Sequence, residues 1–364
     1  MRLRQLQVIH RHGDRTPLIN IFRGSTDARD EEAEVELWGR KLPLPPQVTQ
    51  LRSKYEVHTN SEAQTSFQQR PFGYLTTRGI EQMTNRGNWL QGFIAKEEVG
   101  LNNVTSEQMQ IFSNAYTRTQ LSVQALLGGM LTDHPQVIPQ ISVLPPDRDI
   151  INTYQIYPEI MRIKSDLVND NEEFAAREHE MTLVKQELSR LLPAVDSGQI
   201  PFSWLQAADY FICRRAHHVP FISGTEVHGK ATERHLKYRF HQFYSHRTIL
   251  KLVAGRLMHN VLHEMQKLRW DHLQSKKITI YSGHDVSLLS ILRAMDAGIA
   301  KEISYWPEYS SALALELLED EKGIFYVRAQ LNGEPLAMVD APDGLISADY
   351  FCDLVTDRIG THSK

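Results

Sequence analysis

The alternation of apolar and polar positions divides the chain into a patterned beginning, an irregular excursion, a long helical middle and a patterned end. Residues 6–10 are mostly apolar and give way at once to the glycine- and proline-bearing stretch 11–17, the pattern of a buried strand emptying into a loop. Residues 20–70 show no regular period. They hold an acidic stretch (Asp27, Asp30, Glu31, Glu32, Glu34, Glu36) and prolines at Pro43, Pro45 and Pro46, and read as a long surface excursion with solvated carboxylates. A helix opens at Thr76 or Thr77, either of which can cap it, and runs past Trp89. Residues 109–112 form a second strand, and from Ser113 a helix follows through Ala115, Arg118, Leu121, Val123 and Leu126. Residues 133–275 are mainly helical and polar. The strand pattern returns at 277–281, and Asp285 starts an apolar helix through Val286, Leu288, Leu289, Ile291 and Leu292. Residues 312–318 and 324–331 alternate as two strands, and Asn332-Gly333 marks a tight turn into another short one.

This order predicts an α/β fold: a mostly parallel central sheet flanked by helices, with an inserted smaller helical cap domain. The core is expected from residues 1–132 and 276–364, and the cap from 133–275. No internal repeat or low-complexity tract is present. Three strand-to-loop corners, at 11–17, 113–119 and 282–285, carry the distinctive polar residues. In open α/β sheets ligands bind at the carboxyl ends of strands, so these corners are expected to meet.

Charge narrows the partners. With 40 basic and 44 acidic residues among 364, the formal charge of −4 offers no footprint for nucleic acid or an anionic membrane, so anion affinity must be local. No window has the apolar length of a membrane span, and the start of the chain lacks the apolar stretch of a signal peptide. Cys213 and Cys352 are too few for a disulfide framework and are expected as reduced thiols. A cytoplasmic location follows from the chain as given, and the secretory pathway or lysosome if a leader was trimmed. The sequon beginning at Asn103 favours the second. A homodimer stays open.

The corner residues suit phosphate chemistry. Arginine donates to two oxygens at once and keeps its charge, and Arg11 and Arg15 straddle His12. Imidazole can attack phosphorus when its other nitrogen is held by a hydrogen bond, and Gly13 lets a carbonyl come close enough to hold it. His12 is therefore the candidate nucleophile. An alcohol leaving group needs a proton as its bond breaks, which Asp285 can supply if its pKa lies near working pH, and an acidic optimum would follow. His284, expected to be cationic, adds another phosphate donor. Guanidinium groups can take the charge-neutralising place of a metal, so neither metal nor other cofactor is expected.

The stretch Arg11-His12-Gly13-Asp14-Arg15-Thr16-Pro17 resembles the Arg-His-Gly-x-Arg-x-Pro signature of the histidine acid phosphatases, and His284-Asp285 resembles their His-Asp motif. Residues 73–82 are similar to the family's Gly-x-Leu-Thr-x-x-Gly-x-x-Gln segment, and 113–119 to its Ser-x-x-x-x-Arg-Thr segment. The second similarity implies that Arg118 is a third phosphate-binding arginine. The resemblance implies catalysis by His12 and Asp285, phosphate binding by Arg11, Arg15, Arg118 and His284, and a small phosphorylated substrate. Superfamily mutases share the first triplet but lack the Arg15-x-Pro17 and His-Asp set. Nonspecific, phytase-like, phosphoxylose-type and lysophosphatidate-type activities all fit, and the non-enzyme alternative is a phosphate-binding or regulatory module.

Other polar residues have plainer readings. Asp14 sits at the signature's variable position and is assigned no substrate role. His259 and His263 have helical metal-ligand spacing but lack the adjacent glutamate of zinc proteases, and read as a solvated helix face. His217 and His218, beside Arg214 and Arg215, read as a surface loop, with recognition of an anionic substrate group as the alternative.

Overall fold

The computed structural model describes residues 1–59, 70–96, 104–271 and 275–360; the sequon residue Asn103 lies outside the described residues. The strands are β1 (Arg2–Arg11), β2 (Val57–Thr59), β3 (Met109–Ser113), β4 (Ile141–Val143), β5 (Ile278–Gly283), β6 (Ala312–Glu319), β7 (Phe325–Leu331), β8 (Glu334–Pro335) and β9 (Leu345–Ser347). They form one sheet in the order β2-β4-β3-β5-β1-β6-β7-β8, with β9 also on β7. From β2 to β1 the pairing is parallel, and beyond β1 it is antiparallel. The mostly apolar run at 6–10 is the centre of β1, at the boundary between the two halves.

Side-chain alternation sorts the sheet into two cores. Leu6, Val8, Ile111, Ile280 and Ala314 face one, closed by the helices Thr77–Lys96 and Thr117–Met130. Ile9, Phe112, Tyr281, Leu313 and Leu315 face the other, closed by Arg247–Trp270, Asp285–Ala294 and Ala348–Ile359. Asn332 and Gly333, at φ of 57° and 100°, turn β7 into β8 as their residue types anticipate.

Two parts of the 133–275 segment belong with the sheet. Residues 141–143 pair between β2 and β3, and helix Arg247–Trp270 is stitched to β1 by buried glutamines. Gln5 Nε2 donates to the Glu264 carbonyl at 3.1 Å, and Gln7 Nε2 to that of Val261 at 2.9 Å. The helices standing further from the strands lie between Glu159 and Ser245.

The described part of the 20–70 excursion, residues 20–59 and 70, is more ordered than its sequence suggests. Asp27 caps the helix Ala28–Gly39 by accepting from Arg29 N, and Asp30 and Glu31 lie in the first turn, where the helix dipole favours them. Pro45 and Pro46 start the helix Pro45–Lys54, whose first turn does not need their missing N–H groups. The acidic run is not all solvated: Glu34 is buried, takes both its oxygens to Arg214 Nη2 at 2.7 and 2.6 Å, and accepts from Trp38 Nε1. Both cysteines are free, Cys213 fully buried. No helix among the described residues is long and apolar enough to cross a membrane.

Candidate active site

Strand register sets the site. His10 is level with Ser282, Arg11 with Gly283, and Ser113 with Ser282, so three parallel strands end together. His12 N donates to the Gly283 carbonyl at 3.0 Å, extending the β1–β5 pairing one residue past the strand. The six residues singled out from the sequence, Arg11, His12, Arg15, Arg118, His284 and Asp285, gather at this edge. His12 and His284 lie edge to face with centroids 5.4 Å apart.

The His12 imidazole is oriented by its own loop. Nδ1 lies 2.7 Å from the Gly13 carbonyl, which only accepts, so Nδ1 carries the proton and Nε2 keeps its lone pair. Gly13 is also sterically required, since a Cβ there would fall 2.4 Å from the Gly79 carbonyl oxygen, in the first turn of helix Thr77–Lys96. Thr76 pins the same contact: its hydroxyl accepts from Gly79 N and donates to Asp14 Oδ1 at 2.6 Å. Burial, reinforced by the charges of Arg118 and Arg11, pushes the His12 pKa well below that of free imidazole. The ring therefore stays neutral into acidic solution.

The arginines are anchored on their far sides. Arg11 donates through Nη1 to the Pro307 carbonyl at 2.6 Å, pairs through Nη2 with Asp285 Oδ2 at 2.9 Å, and lies over the Tyr309 ring. Arg15 pairs through Nη2 with Asp209 Oδ1 at 2.7 Å and donates from Nη1 to the Thr16 carbonyl. The buried Nε–H groups of both find no acceptor among the described residues. Arg118 stacks on Tyr116 and brings Nη2 within 3.5 Å of His284 Nδ1; its pKa falls to about 9 through burial and the neighbouring Arg15.

Two protonation states differ from the sequence expectation. His284 is not cationic. Asn114 Oδ1 accepts from the Thr119 hydroxyl and from Tyr116 N, which turns its NH₂ toward His284 Nε2 and leaves that nitrogen the acceptor. Burial, then Arg118, pushes the His284 pKa well down, so a neutral ring directs Nδ1–H toward the space shared with Arg118. Asp285 is not held near neutrality either. Burial alone would raise it, but the facing charges, Arg11 foremost and then Arg15, together with the Val286 N–H, outweigh burial and the carboxyl falls below its ordinary value. In the free site it is an ionised partner of Arg11 that also accepts from Trp306 Nε1 at 3.2 Å and from Val286 N.

Trp306, Tyr309, Asp209 and Cys213 touch the site from far along the chain, and no local pattern marks them. Asn114 lies inside the segment 113–119, and an asparagine capping Tyr116 N just past a strand is a signal that could have been used. His217 is not a plain surface residue: its Nε2 lies 2.6 Å from Asp14 Oδ1, with 7% of the side chain exposed. Of its neighbours, Arg214 is buried against Glu34, and Arg215 pairs with Glu233. His259 Nε2 bonds the Gly360 carbonyl at 2.9 Å, so that ring is engaged by the chain's own backbone rather than left to solvent.

The protein is thus an α/β fold whose central parallel strands end in a histidine among arginines. The sequence pattern of the histidine phosphatase superfamily, branch 2, matches residues 2–332, and the chain belongs to that family. Membership supports phosphatase activity. The chain is 22% identical to lysophosphatidic acid phosphatase type 6 of Bos taurus over 395 aligned residues, 98% of this chain and 83% of that one. It is 25% identical to prostatic acid phosphatase of Mus musculus, covering 72% of each. The phytase of Klebsiella sp. ASR1 superposes with a TM-score of 0.62 at 14% identity, over 98% of this chain and 96% of that one, which shows a common fold.

Proposed function

We propose that the protein hydrolyses phosphate monoesters through a phosphohistidine on Nε2 of His12, with Asp285 as proton donor. The observation that carries this reading is a neutral imidazole with Nδ1 committed to the Gly13 carbonyl, flanked in the chain by two arginines whose buried Nε–H groups have no acceptor among the described residues. Phosphate oxygens would take those donors together with Arg118 and His284 Nδ1–H. In the first step the His12 Nε2 lone pair forms the N–P bond as the P–O ester bond breaks, and Asp285 gives its proton to the departing oxygen. In the second, water attacks phosphorus, Asp285 takes its proton, and the N–P bond breaks.

An acidic optimum follows from a different source than a raised carboxyl pKa. A phosphate monoester loses its second proton near pH ~6, so in acid it arrives as a monoanion that can hand a proton to the Asp285 carboxylate. His12 stays deprotonated there because burial and the arginines depress it. Activity should hold on the acid side and decline as the ester becomes a dianion.

Residues 20–59 of the excursion and the helices between Glu159 and Ser245 would shape the leaving-group side and set specificity. Phytic acid, lysophosphatidate, phosphosugars and aryl phosphates are the substrates to compare. Hydrolysis of a chromogenic aryl phosphate at about pH 5, with and without EDTA, tests the reading with His12→Ala as control. Turnover that survives EDTA and disappears in the variant supports it. A wild-type protein inactive from about pH 4 to 8, yet able to bind phosphate, would establish the binding module instead.

A further inference from the structure

The helix Trp204–Ala216 approaches the signature loop with one stripe of side chains. Asp209, Cys213 and His217 are spaced four apart, so they share a face. Asp209 Oδ1 is 2.7 Å from Arg15 Nη2, and its Oδ2 accepts from Leu18 N at 2.7 Å. One carboxylate thus grips both ends of the turn through Pro17. Cys213 Sγ lies 3.6 Å from the Arg15 carbonyl oxygen, and His217 Nε2 bonds Asp14. Side chains of Arg15 and Asp209 are only 8% and 5% exposed. Burial disfavours the Arg15 charge, yet its pKa rises because Asp209 faces it.

We propose that Asp209 is the positioning residue for Arg15, an inference that rests on the phosphatase reading above. It engages Nη2, the Thr16 carbonyl and Cys213 Sγ engage Nη1, and the buried Nε–H, which has no acceptor among the described residues, is available to a phosphate oxygen. Asp209 touches no substrate atom. It acts by holding a guanidinium at one angle, so its removal should disturb the geometry of the transferring group more than binding, since a misplacement of about 1 Å can cost on the order of 100-fold in rate. The extra positive charge left by Asp209→Asn opposes any loss of affinity for the anionic ester.

The test is a double-mutant cycle between residues 209 and 15, followed by kcat and KM on an aryl phosphate and by calorimetric binding of tungstate. Asp209→Asn should lower kcat by about 10- to 100-fold and change KM by less than about 3-fold. In an Arg15→Ala background the same substitution should cost less than about 3-fold, because its target is gone. Equal losses in both backgrounds, or none in the parent, would overturn the assignment. Should Asp209→Asn not fold, Asp209→Glu, which keeps the charge and shifts the carboxylate by one methylene, runs the same cycle with the same criteria. If the wild type proves inactive, the phosphatase reading fails and tungstate, whose binding reads the geometry of the arginine donors rather than the affinity for the ester, decides for Asp209: a change that disappears in the Arg15→Ala background supports it, and the same change in both backgrounds, or none in the parent, refutes it.

Discussion

Arg11, the last residue of β1, and Arg15, in the loop that follows, are four residues apart but are held by different regions of the molecule. Arg11 is fixed by the sheet side, through Asp285 at the end of β5 and the backbone and ring of residues 307 and 309. Arg15 is fixed by a helix from the segment between Glu159 and Ser245, through Asp209. The sheet brings Arg11 level with Gly283 through the backbone pairing of β1 with β5, which a single polar substitution at the site leaves in place. The helix places its groups by side-chain contacts, which single substitutions can undo. The chemistry should therefore be robust on one side and adjustable on the other.

Substitutions can break this contrast at several strengths. His12→Ala should remove turnover by on the order of 10⁴-fold on any ester, measured as kcat/KM, with thermal unfolding little changed. Asp285→Asn should cost about 10²- to 10⁴-fold on alkyl phosphates and clearly less on activated aryl phosphates, whose leaving groups need less protonation; equal losses would remove its proton-donor role. On the helix side, Glu34→Ala leaves Arg214 buried without its partner and should destabilise by about 3–5 kcal/mol in urea unfolding. Gly13→Ala drives a Cβ into the Gly79 carbonyl and should cost about 1–3 kcal/mol of stability as well as activity.

The smallest expected effect is titrational. His10 is fully buried, and burial holds its pKa at about 4, against 6.5 ordinarily. Its folded value is lower than its unfolded one, so the stability it contributes is present above pH 6.5 and lost as pH falls toward 4. Between pH 7 and 5 that loss is about 2 kcal/mol. Urea midpoints for His10→Gln should show a correspondingly flatter pH dependence, and an unchanged slope would contradict it.

How much could be read from the sequence divides along the same line. The three corners were legible because strand, turn and helix signals adjoin the reactive residues, and register then brings distant corners level. The excursion at 20–70 was not, because its helices bury almost nothing apolar: Pro45–Lys54 buries no residue and Ala28–Gly39 only Glu34 and Trp38, so no hydrophobic period is printed in the chain. The protonation of His284 and Asp285 is not written in the sequence for a related reason. Asn114 and Arg118 set one and Arg11 the other, and their proximity is created only by folding.

The central claim concerns a single ring nitrogen. A rapid-quench single turnover, stopped in base to protect the N–P bond, followed by mass spectrometry and phosphorus NMR of the trapped protein, measures it directly. The expected result is one phosphoryl group on Nε2 of His12, because the Gly13 carbonyl engages Nδ1. A phosphoryl group on another residue, or on Nδ1, or none during active turnover, would contradict the account.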